Sequence, residues 1–367
     1  MVKMKKQYLI NKYALILLLI TFLYFEKADA YSFLGQIFHK ESEINKENML
    51  TNDKNTIDRE LQKAGESKII FHVISHSHQD VGWLQTPEDY YDQYVKQIIT
   101  SVLESLEKNK YRKFNQAEIY FFKRWWDEQD QTTKERMRQL VKDGRFSFVN
   151  GGWVASDEAC PLFTDLLQNI KTGHEFLKQE FGIIPEIAWH ADAFGHSSEV
   201  AKIFSLIGYK GLFMGRLSAQ HKSQLQETNN MQFYWSPEFQ GEQKSYRSQK
   251  GIYSHFFYKT YHPPCDIQLH SINVNDIEQL INNQLQEYAK GYKTKNLIMN
   301  FGDDFVYTSA GEIFEFIENT TMKSAKKQWM KRQHLRLTLE IFSHYICSLK
   351  VPLGMGTIQP DLIKKST

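Results

Sequence analysis

Between residues 67 and 318, short apolar runs alternate with longer amphipathic stretches, and this alternation constrains the fold more than any other feature of the chain. The short runs are KIIFHVI (68–74), EIYFF (118–122), FSFVN (146–150), EIAW (186–189), YKGLFMG (209–215) and LIMNF (297–301). Each is of strand length, and the segments between them are long enough to be helices. Strands joined by crossover helices pair in parallel. The expected fold is therefore α/β, a mainly parallel sheet or an incomplete β/α barrel with helices outside. Local chemistry marks the helix starts. Thr86-Pro87-Glu88-Asp89 combines a capping hydroxyl, a proline at the first helical position and acids in the first turn, which predicts a helix to about residue 108. Further helices are predicted over 131–143, 161–182, 197–208, 275–289 and 309–318. Residues 217–270 have no clear period and read as an irregular excursion rich in Tyr, Phe and Gln.

Ligands and catalytic groups in such sheets lie beyond the carboxyl ends of the strands. HSHQD (76–80), NGGW (150–153), HADAFGHS (190–197) and GDDF (302–305) each follow a predicted strand directly. Every cluster with chemical potential thus falls on one edge. Alternate side chains of an extended segment point the same way, so His76, His78 and Asp80 can converge. Imidazole with carboxylate is a donor set for a divalent metal, zinc in particular. The simpler alternative is a polar turn with one satisfied histidine, and the shared edge argues against it. Asp192 precedes a helix start, where the helix dipole favours a carboxylate. Asp303 and Asp304 are adjacent acids that resist simultaneous ionisation, which suits a proton donor.

The flanks differ in character. Residues 1–30 read as a secretory signal: Lys3, Lys5, Lys6 and Lys12, then ALILLLITFLYF, then small residues that suit cleavage after Ala30. The apolar run is too short to cross a bilayer easily, so no stable membrane span is expected after cleavage. The expected location is the secretory pathway, the lysosome or the cell exterior. Residues 31–66 are polar and read as a propeptide or a loosely held leading segment, and 319–367 as a divergent basic tail. Net charge is +2, and −1 once residues 1–30 are removed. That balance argues against nucleic acid or an anionic membrane as the main partner. Three cysteines cannot build a disulfide framework, and Asn319-Thr320-Thr321 is a glycosylation sequon usable in a secretory protein.

HSHQDVGW, FFKRWWDEQ (121–129), NGGWVASDEA (150–159), WHADAFGHS (189–197), GLFMGR (211–216) and GDDF (302–305) form an ordered set. In order and approximate spacing it resembles the alpha-mannosidases of glycoside hydrolase family 38, over roughly residues 67–318. The Val81-Gly82-Trp83 ending is more similar to the lysosomal than to the Golgi branch. The resemblance implies that His78 and Asp80 are zinc ligands and that Asp192 is both nucleophile and zinc ligand. It implies that Asp304 is the general acid/base, Trp83 the aromatic platform under the sugar, and Arg216 and Tyr261 substrate-contacting residues. His76 would support the site without ligating.

The implied activity is zinc-dependent, retaining hydrolysis of terminal alpha-linked mannose from N-glycans, in mannose and glycoprotein catabolism. The pattern also departs from the family. Ala191 and Ala193 stand where Ile and Pro are usual, and the sequence has no His-His-Asp segment, from which the family draws a fourth zinc ligand. The family's three-helix bundle and C-terminal β domains are expected to be missing. Two other readings follow: a truncated, inactive homologue that binds zinc or mannose weakly, and a metal-dependent carbohydrate deacetylase.

Overall fold

The first apolar run forms a buried strand, and the other strands gather beside it. In chain order the strands are β1 (Ile69–Ser75), β2 (Phe114–Gln116), β3 (Phe146–Phe148), β4 (Ile187–His190), β5 (Gly211–Met214), β6 (Gln232–Trp235), β7 (Ile252–Phe256), β8 (Asn296–Phe301) and β9 (Leu335–Leu339). This computed structural model describes residues 69–236, 251–269, 277–331 and 335–339. The predicted signal over 1–30, the leading segment 31–66 and most of the tail lie outside the described residues. All described residues except Leu206–Gly208 belong to one compact unit.

Three small sheets make up the α/β layer. β1 lies between β8 and β9, both parallel to it. β2 and β3 pair in parallel. In the third sheet β4, β5 and β7 are parallel, and β6 runs antiparallel on the outer side of β7. Single contacts stitch neighbouring sheets together. His76 bridges to Asn115, and Asn150 N donates to the Ile187 carbonyl at 2.6 Å. The strand ends of all three sheets are thereby held along one edge, and among the described residues no closed barrel forms. Ile74, Val149, Trp189, Phe213, Tyr253 and Ile298 meet in a buried cluster beneath that edge. Each such side chain contributes about 1.5–3 kcal/mol by leaving water.

The helices are α1 (Pro87–Tyr90), α2 (Lys96–Lys108), α3 (Ile119–Asp127), α4 (Gln131–Lys142), α5 (Phe163–Phe181), α6 (Ser198–Ile207), α7 (Ala219–Glu227), α8 (Ile277–Ala289) and α9 (Ala310–Lys331). The Thr86 cap forms as the sequence predicts: its hydroxyl accepts from Asp89 N at 3.2 Å and donates to Asp89 Oδ2 at 2.8 Å. A π-helical segment, Tyr91–Val95, carries α1 into α2. No helix among the described residues is long and apolar enough to cross a membrane.

Two expectations are corrected here. EIYFF is not a strand; Ile119 opens α3, and the strand lies earlier, at Phe114–Gln116. Ile119, Phe122 and Trp126 recur at helical spacing and are buried. The Phe122 ring sits 4.8 Å from Phe148, so helical packing against β3 overrides the strand preference of a short aromatic run. The excursion over 217–270 also holds regular structure, α7, β6 and β7, with residues 237–250 outside the described set.

Candidate active site

Beyond β1 the chain locks against the turn after β8. His78 and Asp304 form a parallel bridge, with His78 N donating to Asp303 O at 3.0 Å and Phe305 N donating to His78 O at 2.9 Å. The approach is so close at Gly302 that an added Cβ would collide with the carbonyl and ring of His76. Only glycine leaves room there. Asp192 and Arg216 stand just past β4 and β5, and Tyr261 follows β7. The seven residues to which the resemblance assigns a ligating, catalytic or sugar-contacting role line one cleft of about 370 Å³. His76 does not line it.

The geometry at the cleft floor is specific. His78 Nε2 lies 3.1 Å from Asp80 Oδ1 and 4.0 Å from Asp192 Oδ2. Arg216 holds the other Asp192 oxygen, Oδ1, through Nε and Nη2. The Tyr261 hydroxyl donates to Asp304 Oδ1 at 2.8 Å, and its ring lies 4.8 Å from that of His78. At the mouth, Trp83 is 68 % exposed, an aromatic face with nothing stacked upon it among the ring contacts of the described residues. The Arg216 guanidinium lies 4.2 Å over the ring of Phe194, another exposed aromatic at the rim.

Burial disfavours charge on His78, but the Asp80 hydrogen bond and the nearby Glu118, Asp80 and Asp304 carboxylates outweigh it and push the imidazole up to about 9. Burial raises Asp192 above the usual carboxylate value, against the pull of His78 and Arg216. His76 is different. Burial drives it down to about 3, its Nδ1 meets the Ile74 carbonyl at 3.2 Å, and its ring stands edge-on to Trp189 at 5.1 Å. It buttresses the floor from behind.

By donor type, His78, Asp80 and Asp192 suit a divalent cation. One imidazole nitrogen and two carboxylate oxygens converge at His78, an acceptor-rich set of the N/O type that zinc takes. The proton that His78 Nε2 would share with these carboxylates is what a metal replaces. Among the described residues, the groups whose ligating atoms all lie within 4.8 Å of one another are His262, Asp303 and Asp304, and Glu158, His190 and His196; His78, Asp80 and Asp192 approach only pairwise through His78.

Four residues escaped the sequence reading. Glu118 lines the cleft at 2 % exposure, and burial pushes its carboxyl to about 7. His262 Nε2 reaches Asp303 Oδ1 at 3.3 Å. Asp157 accepts from Phe194 N at 2.9 Å, and Glu158 accepts from both His190 and His196. Asp157 and Glu158 sit inside NGGWVASDEA, and His262 follows Tyr261, so the motifs pointed to the segments without separating these side chains from their neighbours.

The chain is similar to known proteins in sequence and in fold. The family model described as glycosyl hydrolases family 38 N-terminal domain matches residues 68–356. Lysosomal alpha-mannosidase of Dictyostelium discoideum is 32 % identical over 292 residues, which is 76 % of this chain and 29 % of the relative. Lysosomal alpha-mannosidase of Bos taurus is 33 % identical over 272 residues, 67 % of this chain and 27 % of the relative. The chain spans less than a third of the length of these curated relatives. The crystal structure of an alpha-mannosidase from Enterococcus faecalis V583 shares the fold, with a TM-score of 0.61 at 15 % identity, covering 80 % of this chain and 30 % of that one.

Proposed function

The chain belongs to glycosyl hydrolase family 38, and on that premise we propose that it is the catalytic part of a zinc-dependent, retaining alpha-mannosidase acting on terminal alpha-linked mannose of N-glycans. The observation that carries this reading is the meeting of Asp192, His78 and Arg216 in the cleft that also holds Asp304. In this reading His78, Asp80 and Asp192 hold the ion. When bound there, zinc would supply Lewis-acid polarisation of the sugar's hydroxyls.

The remaining work falls to the chain's own groups. Arg216 fixes Asp192 by Oδ1 and favours its ionised form, as a nucleophile requires. In the first step an Asp192 oxygen forms a bond to the anomeric carbon as the glycosidic bond breaks. Asp304 gives its proton to the leaving oxygen. In the second step Asp304 takes a proton from water, the water oxygen attacks the same carbon, and the Asp192 carboxylate leaves. Tyr261 donates to Asp304 Oδ1 and fixes the orientation of that carboxyl. Trp83 offers its exposed face to the apolar side of the ring. The leader-like residues 1–30 and the lysosomal relatives support a secretory or lysosomal setting.

Hydrolysis of an aryl alpha-mannoside by the full chain with added zinc tests the proposal. Turnover that a chelator abolishes and that Asp192→Asn removes is the expected result. Zinc or mannose binding without turnover indicates the inactive homologue, and release of acetate from an acetylated sugar indicates the deacetylase.

A further inference from the structure

One buried carboxylate grips both ends of the segment that carries Asp192. Glu158, with its side chain 3 % exposed, accepts through Oε1 from His190 Nδ1 at 2.8 Å and from His196 Nδ1 at 3.0 Å. Its other oxygen, Oε2, accepts from the backbone of Ser197. His190 ends β4, and Ser197 immediately precedes α6, so the residues between them are stapled at both ends. The neighbouring Asp157 ties the middle of the same segment by accepting from Phe194 N.

The network reaches Asp192 by a second route. His196 Nε2 meets the backbone carbonyl of Arg216 at 2.9 Å, and the Arg216 guanidinium holds Asp192 Oδ1. Carboxylates and carbonyls only accept hydrogen bonds. An imidazole that spans one of each must donate from both nitrogens, which makes it an imidazolium. The other faces of the His196 ring meet Phe256 at 5.5 Å and His190 at 6.4 Å. His190 differs from His196. Its Nδ1 donates to Glu158, while its Nε2 is buried without a hydrogen-bond partner, so one proton satisfies it.

We propose that Glu158 and a cationic His196 form a positioning pair that sets the pose of Asp192, by fixing its segment and, through the Arg216 carbonyl, its guanidinium partner. The inference rests on the reading of Asp192 as the nucleophile. The trio of Glu158, His190 and His196 could also hold a cation by donor type. Separations of 2.8 and 3.0 Å are those of direct hydrogen bonds. Ligands about 2.0–2.1 Å from a zinc ion at tetrahedral angles lie farther apart than that.

The test is nitrogen NMR of the histidine-labelled full chain, with the His196 signals assigned by their loss in His196→Gln. The proposal expects both His196 nitrogens protonated at neutral pH in the unaltered protein, and that signature lost in Glu158→Gln. It also expects kcat on an aryl alpha-mannoside to fall roughly 10–100-fold in Glu158→Gln with KM little changed, as for a displaced reacting group. Glu158→Asp should restore the imidazolium and part of kcat. A singly protonated His196 in the unaltered protein overturns the proposal, even if Glu158→Gln fails to fold. So does a second bound equivalent of metal that Glu158→Gln removes. If the unaltered chain hydrolyses no mannoside, the family-based activity fails while the NMR result still decides the pair.

Discussion

The Tyr261 hydroxyl donates to Asp304 Oδ1 at 2.8 Å. The bond joins the segment after β7 to the turn after β8. A hydrogen bond to a charged group is worth about 1.5–3 kcal/mol. Tyr261→Phe should therefore lower kcat roughly 10-fold or more, with the larger share in kcat if the bond matters most as charge develops. Steady-state kinetics on an aryl alpha-mannoside measure the split. An unchanged kcat would remove Tyr261 from the acid/base step.

Gly302 predicts a steric failure with a local cause. Its missing side chain admits the carbonyl and ring of His76, and neither can retreat from the floor of the site. Gly302→Ala should destabilise the protein by about 1–3 kcal/mol, the usual cost of forcing a group into packed space. It should also shift the turn that carries Asp304. Urea unfolding gives the first quantity and kcat the second.

Arg112 and Glu318 form a two-pronged pair, at 2.7 Å from Nε and 3.1 Å from the guanidinium end. The pair ties the connection after α2 to α9, and Arg112 is buried. Glu318 is partly exposed and keeps a hydrogen bond from Asn109 Nδ2 at 2.9 Å, so losing Arg112 costs about 1.5–3 kcal/mol, the worth of hydrogen bonds to a charged group. Arg112→Ala should cost an amount of that order in urea unfolding, with little change in KM, because neither residue lines the cleft.

Acid sensitivity follows from Glu158. Burial opposes its charge, but hydrogen bonds and charge from His190 and His196 prevail and lower its carboxyl from 4.5 to about 2. A carboxyl whose folded value is depressed contributes stability that is present above its unfolded value. That stability is lost as pH falls from about 4.5 through about 2. The contribution is on the order of 3 kcal/mol. Urea midpoints measured from about pH 6 down to about pH 3 should fall more steeply for the unaltered protein than for Glu158→Gln. Parallel slopes would contradict the assignment.

Much of the site was legible because its parts sit at strand ends. HSHQD, HADAF and GDDF each follow an apolar run, and the parallel arrangement carries them to one edge whatever the details of packing. EIYFF was misread because five residues cannot separate the two periods; the helical spacing emerges only when Trp125 and Trp126 are included. Glu118, Glu158 and His262 were missed for another reason. Their roles come from partners distant in the chain, His78 for Glu118, the His190 and His196 pair for Glu158, and Asp303 for His262. No local pattern announces those meetings.

The central claim is that Asp192 attacks the sugar. A fluorinated mannosyl fluoride, which forms the glycosyl-enzyme quickly and releases it slowly, tests this directly. The zinc-loaded chain is incubated with it, digested and mapped by mass spectrometry. The account predicts one sugar adduct, on the peptide containing Asp192, absent in Asp192→Asn and absent after chelation. An adduct on another carboxylate, or turnover of an aryl alpha-mannoside with inversion and no adduct, would contradict it.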